Sequence, residues 1–251
     1  MNKYLKNLEK IEFVVTYACT GRCKHCSEGD HSSRGVSIDP RAASRAVREI
    51  SASYGIKTVM AFGGEPLLYP DAVYAIMNAA SEMGVPKRQV ITNGYFTRDE
   101  SKMREVAKGL AGCGVNDLLL SVDAFHQETI PLDAVMQFAA VACEEGIPMR
   151  LQPAWLVSAD DDNPYNVKTR EVLTAFRDTG IPVSEGNVVF PEGNALKYLS
   201  EYFKDGAPEN PYIEDPCDVR CVSVEPDGGV FGDSILRRGI IDIMRDYSPG
   251  V

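Results

Sequence analysis

Up to about residue 190, short β-like apolar runs alternate with amphipathic helical stripes, and that order allows few folds. The strand candidates are 11–17, 58–62, 89–92, 118–122, 149–156 and 183–190. Between them Ala43, Ala46, Val47, Ile50 and Tyr54 follow i, i+3, i+4, i+7, i+11, the spacing of one helix face. Val73, Ile76, Met77 and Ala80 keep that stripe. So do Met103, Val106, Ala107 and Leu110, and then Leu132, Val135, Met136, Ala139 and Cys143. Asp39-Pro40 and Asn163-Pro164 read as a cap plus first-turn proline, and Gly55, Gly84, Gly146 and Gly180 as helix stops. Six βα units in series predict an α/β fold with a parallel sheet and helices outside it. Six units do not close an eightfold barrel, so a partial, open (β/α)6 barrel is expected over 1–190. In such folds chemistry collects in the loops after the C-terminal ends of the strands.

The pattern changes after Pro191, where Gly193, Gly206, Pro208, Pro211 and Pro216 interrupt it. Cys221 to Phe231 then alternates around Pro226-Asp227-Gly228 and reads as a β-hairpin, with a closing helix over 239–247. Residues 191–251 are expected to form a small C-terminal β-hairpin and helix appendage.

Three cysteines crowd the loop after the first strand: Cys19, Cys23 and Cys26, spaced CxxxCxxC. Three thiolates can hold three irons of a 4Fe–4S cluster and leave one iron open, whereas most cluster sites use four cysteines. A structural zinc site is the competing reading, with His25 or His31 as fourth ligand, but the usual second cysteine pair is missing. The loop after the second strand reads Gly63-Gly64-Glu65-Pro66. Glycines let a ligand approach the backbone, and a carboxylate suits an ammonium group. An ordinary βα turn would look the same.

Together the two loops resemble the radical S-adenosylmethionine (SAM) superfamily, over roughly 11–190. The resemblance implies a partial TIM-like barrel with a 4Fe–4S cluster and SAM as cofactors. It implies that SAM chelates the open iron, and that reductive cleavage yields a 5′-deoxyadenosyl radical that takes hydrogen from a substrate. It places Cys19, Cys23 and Cys26 on the cluster and His25 near the adenine. Gly63, Gly64, Glu65 and Pro66 would contact the SAM amino group. Thr92 and Asn93 map to the third strand's end, Ser121 and Asp123 to the fourth's, and Arg150 to the fifth strand as a carboxylate partner. An Asn-Gly turn, a helix cap and a surface arginine remain the plain alternatives. His126, on the fourth-strand loop, is a candidate catalytic residue on the substrate side.

Of the other cysteines, Cys143 is expected in the core of its helix and Cys113 to be structural. Cys217 and Cys221 resemble the start of a SPASM or twitch module, but no cysteine follows them. Two thiolates do not complete a four-cysteine site, so a degenerate tail without a cluster is expected.

Net charge is −10, which argues against a nucleic-acid backbone as partner. No apolar run approaches the ~20 residues of a membrane span, and no membrane partner is expected. The first ten residues carry no apolar signal segment, so a cytoplasmic location is expected. The expected partners are a peptide or small-molecule substrate and an electron donor such as flavodoxin or ferredoxin. A non-enzymatic metal-binding or electron-carrier protein is the alternative.

Overall fold

The computed structural model describes residues 2–29, 36–204 and 206–250. The elements run β1 (Lys10–Thr16), α1 (Pro40–Ser53), β2 (Thr58–Gly63), α2 (Pro70–Glu82), β3 (Lys87–Thr92), α3 (Glu100–Gly112) and β4 (Asp117–Ser121). Then come α4 (Ala124–Gln127), α5 (Leu132–Glu144), β5 (Met149–Gln152), β6 (Ala154–Trp155), α6 (Pro164–Thr174) and β7 (Asn187–Val188). The rest is α7 (Gly193–Tyr198), β8 (Cys221–Val224), β9 (Gly229–Val230), β10 (Asp233–Ser234) and α8 (Ile240–Asp246). Among the described residues no helix is long and apolar enough to cross a membrane.

Six strands form a parallel sheet in the order β5-β4-β3-β2-β1-β8. Their two-residue period separates two environments. Ile11, Phe13, Val15, Val59, Ala61, Val90, Leu118, Leu120 and Leu151 point into a core shared with the helices. Glu12, Val14, Met60, Phe62, Gln89, Ile91, Leu119 and Ser121 face the concave side and line a cavity. A strand in contact with helices on one face and a polar cavity on the other must alternate in this way. On α1 the Asp39 carboxylate accepts from Ala42 N at 2.7 Å, supplying the N-cap that starts the helix. Ala43, Ala46, Val47 and Ile50 then bury its apolar stripe, each large side chain contributing roughly 1.5–3 kcal/mol.

Three expectations are corrected. The run 183–190 does not add a strand to the six-stranded sheet: Val183 makes one bridge to Leu151, and Asn187–Val188 pair with Ala154–Trp155 in a separate two-stranded sheet. Pro153 and Pro182 carry no N–H for a ladder. A bulge separates the two pairings, and Gly186 (φ +79°) sits at it, because a Cβ there would lie 2.4 Å from Pro153 O. The sixth sheet strand is instead β8, beside β1 in the register Lys10↔Cys221 to Phe13↔Val224. The hairpin is thus formed one element later, by β9 and β10. Cys143 is exposed rather than in the core. Helix α5 turns Ala134, Val135, Phe138, Ala139, Val141 and Ala142 inward.

The loop between β6 and α6 is organised by one buried side chain. Asn166 Nδ2 donates to Leu156 O, Ser158 O and Asp161 O at 3.0, 2.7 and 3.0 Å, and its Oδ1 accepts from Leu156 N at 2.9 Å. Asn166→Ala is expected to cost about 1–3 kcal/mol, chiefly by leaving the buried Leu156 N–H without its partner, read by urea denaturation. A loss under about 1 kcal/mol would show that water replaces these bonds.

Candidate functional site

Strand β1 delivers the cysteine loop to the C-terminal mouth of the sheet. Thr16 turns the chain there: its Oγ1 donates to Val36 O at 2.7 Å and accepts from Ala18 N at 3.0 Å. The loop then lies directly on the Gly63-Gly64-Glu65 segment. Gly64 N donates to Thr16 O at 2.7 Å and Glu65 N to Ala18 O at 2.8 Å. A Cβ on Gly64 would stand 2.3 Å from Ala18 O, so this glycine serves loop-on-loop packing.

Cys19, Cys23 and Cys26 form no disulfide and all line the cavity, which has a volume of about 1200 Å³. Cys19 Sγ accepts from Gly21 N at 3.3 Å and Asn93 Nδ2 at 3.6 Å. Burial, then the Glu65 charge, pushes the Cys19 thiol up to about 11. Burial likewise pushes Cys23 and Cys26 up, and Cys23 also feels Asp123 and the other two sulfurs. Each thiol stays neutral unless a metal displaces its proton. Three such thiols facing one cavity fit a thiophilic metal centre.

Glu65 does not line the cavity. Its carboxylate is fully buried and accepts from Leu67 N (2.9 Å), Thr92 Oγ1 (2.8 Å) and Asn93 N (2.8 Å). Burial pushes its pKa up to about 7 against the lowering effect of these bonds. Pro66 is buried behind it. Gly63, Gly64, Thr92 and Asn93 do reach the cavity. Asn93 also accepts from Tyr95 N at 2.8 Å and donates to Thr20 Oγ1 at 3.2 Å.

Ser121 and Asp123 line the cavity from the end of β4. The Asp123 carboxylate is fully committed: it accepts from His126 N (2.9 Å), Ala154 N (3.1 Å) and the His126 ring Nδ1 (2.8 Å). Burial pushes it up, but the His126 charge and hydrogen bonds prevail and hold it at about 2. It is at once the N-cap of α4 and the anchor of His126, which faces the cavity. With Nδ1 engaged by the carboxylate, Nε2 is left as the free ring nitrogen.

The His25 ring packs 4.8 Å from Phe125 and 4.9 Å from His126. Its buried Nδ1 has no hydrogen-bond partner among the described residues. Burial lowers its pKa to about 4. The ligating atoms of Cys23, His25 and His126 lie within 4.8 Å of one another. His31 lies outside the described residues.

Arg150 is placed differently from the carboxylate partner expected. It makes a two-pronged ion pair with Asp117 at the opposite end of β4, Nε and Nη2 each 3.0 Å from an oxygen. Gln89 (2.6 Å) and Lys87 (3.0 Å) join the same carboxylate. Sequence reasoning missed Glu12, Glu28, Glu192 and Glu225, which also line the cavity. The alternation of β1 and β8 carried a signal for Glu12 and Glu225; Glu28 and Glu192 had none.

Glu65→Gln is expected to destabilise the cluster-free chain by about 1–3 kcal/mol, because the amide NH2 would face a buried donor. Thermal and urea unfolding would read it. Unchanged stability would return Glu65 to a ligand-binding role alone.

The comparisons with known proteins agree with this geometry. The model of the radical SAM superfamily matches residues 13–151. A probable GTP 3′,8-cyclase of Sulfolobus acidocaldarius is 29% identical over 154 residues, covering 60% of this chain and 46% of that protein. The GTP 3′,8-cyclase of Clostridium perfringens strain 13 is 27% identical over 240 residues, covering 81% of this chain and 72% of that one. The chain thus spans less than half the length of the Sulfolobus relative. The solved structure of native anSMEcpe with bound AdoMet superposes with a TM-score of 0.59 at 13% identity, over 94% of this chain and 80% of that one, a likeness of fold. With the family model spanning more than half its length and three cysteines outside any disulfide at the mouth of a half-barrel, this chain belongs to the radical SAM superfamily.

Proposed function

We propose that this enzyme cleaves SAM reductively and uses the resulting 5′-deoxyadenosyl radical to take a hydrogen atom from a peptide or small molecule in the cavity. The observation that carries the reading is the convergence of three thiols outside any disulfide on one cavity at the C-terminal end of the sheet. When bound, the 4Fe–4S cluster and SAM supply the electron transfer and the radical. The chain supplies position and exclusion of water. Cys19, Cys23 and Cys26 would hold the cluster. The Gly63–Gly64 backbone, Thr92, Asn93 and Ser121 border the space beside it. His126, fixed through Nδ1 by Asp123, is the side chain we assign to the substrate side. Flavodoxin or ferredoxin is the electron donor we infer.

The substrate is argued from charge. Among the described residues two lysine or arginine cations line the cavity wall, Lys10 and Arg150, and each is committed: Lys10 to Glu12 at 2.7 Å, Arg150 to Asp117. Glu28, Glu192 and Glu225 line the same wall. A nucleoside triphosphate would meet like charge there. The relatives' named substrate is therefore not carried to this chain, and the cavity is assigned a substrate that is not polyanionic. Residues 191–251 we read as a shortened twitch-like tail without a second cluster. Cys217 is exposed and Cys221 sits within β8.

Cys23→Ala is expected to abolish SAM cleavage while leaving the far-ultraviolet circular dichroism nearly intact. Retained 5′-deoxyadenosine formation, measured by chromatography under reducing conditions, would refute the assignment. The double variant Cys217→Ala, Cys221→Ala is expected to keep about four irons per chain. Loss of several irons in a colorimetric assay would establish an auxiliary site.

A further inference from the structure

Part of what holds the cysteine loop comes from outside the loop, from a segment far along the chain. Asn194, in the first turn of α7, reaches two of the three cysteines at once. Its Nδ2 donates to Cys23 O at 3.1 Å, across 171 residues of sequence. Its backbone N–H donates to Cys26 O at 2.9 Å. Gly193 precedes it with φ +52°, and a Cβ there would stand 2.2 Å from Ser27 O and 2.5 Å from Cys26 O. The next residue, Ala195, is fully buried and packs in one apolar cluster with Cys23, Phe125, Leu156, Val189 and Leu199. Asn210 braces the approach by donating to Glu192 at 2.9 Å.

These contacts have one geometric effect. The peptide orientations at Cys23 and Cys26 set the directions of their Cα–Cβ bonds, and hence where the two sulfurs point. The turn bonds that the loop itself supplies to these two carbonyls are long, Cys26 N to Cys23 O and Gly29 N to Cys26 O, each at 3.3 Å. Asn194 adds two shorter bonds, one to each of the Cys23 and Cys26 carbonyls. An aspartate would bring a carboxylate oxygen against the Cys23 carbonyl, and an alanine would leave that carbonyl without the donor. Any residue larger than glycine at 193 would push the loop away.

We propose that Gly193 and Asn194 are positioning residues for the iron–sulfur cluster, clamping the Cys23–Cys26 turn from the segment that follows the half-barrel. This rests on the reading that Cys19, Cys23 and Cys26 hold the cluster. It makes the stretch after residue 190 a working part of the cluster site rather than a detachable tail.

The test uses the full chain with its cluster reconstituted, comparing wild type with Asn194→Ala, Asn194→Asp and Gly193→Ala. Asn116→Ala serves as control: it removes bonds to Arg88 N (2.8 Å) and Pro86 O (2.8 Å) among the αβ connections at the opposite end of the sheet. Iron extraction by EDTA is expected to be at least about tenfold faster in the three clamp variants, as for other groups that orient metal ligands. In the cluster-free chain, amide exchange across 19–29 is expected to rise in the same variants, with circular dichroism unchanged. Asn116→Ala is expected to lower the melting temperature and leave extraction as in wild type. Extraction within twofold of wild type in Asn194→Ala and Gly193→Ala would overturn the clamp, as would equal acceleration in Asn116→Ala. A wild-type chain that takes up no iron would instead overturn the proposed function itself. In that case unchanged exchange across 19–29 would remove the clamp too.

Discussion

One buried carboxylate connects the loops on which the site is built. Glu65 accepts from the ends of β3, through Thr92 and Asn93, and from Leu67 behind it, while its own N–H donates to the cysteine loop at Ala18. Three consecutive strand ends are thus tied to one residue that meets no solvent. A buried charge is tolerated only when its lone pairs are satisfied, and here backbone and hydroxyl donors satisfy them. The arrangement explains why Gly63 and Gly64 precede it. The cysteine loop has to lie almost on the backbone for the Ala18 carbonyl to be reached. Asn93 carries the linkage one step further, from Glu65 to Cys19 and Thr20.

The concave wall of the half-barrel is graded in chemistry from floor to rim. At the floor Asp117 gathers Arg150, Lys87 and Gln89, and Lys10 meets Glu12. Each carboxylate there is paired, with three cations against two anions. The middle is apolar, with Val14, Met60, Ile91 and Leu119. The rim holds the three thiols, the Asp123–His126 pair and the carboxylates of Glu28 and Glu225, the latter accepting from the Tyr17 hydroxyl. A paired floor beneath an apolar layer limits charged contacts to the rim, where chemistry on the strand ends is expected.

The first four strands and their helices were legible because two local signals agree there: the period of two in the strands and the capped, glycine-terminated stripes between them. Agreement fails where the partner is remote. Cys221 to Val224 alternates in the same way whether it folds back on Gly229 or lies against β1, so a hairpin was the natural local reading. Helix α5 is apolar on most of its circumference, and its period therefore left the facing of Cys143 undetermined. The cysteine triad and the paired glycines were legible as chemistry. The inward turn of Glu65 and the pairing of Arg150 with Asp117 were not, because both depend on which neighbour is nearer in space. Asn194 carried no sign at all in sequence.

The pairing of β8 with β1 has a consequence for the order of folding. The cysteine loop follows β1, and among the described residues the outer edge of that strand is covered by a segment far along the chain; the Tyr17–Glu225 contact spans 208 residues. Closing so long a loop costs chain entropy before any contact repays it, and pairings of this kind form slowly. Until β8 docks, β1 offers a row of unpaired backbone groups to any neighbouring chain. The strand that leads into the cysteine loop is therefore an open edge until the C-terminal segment docks.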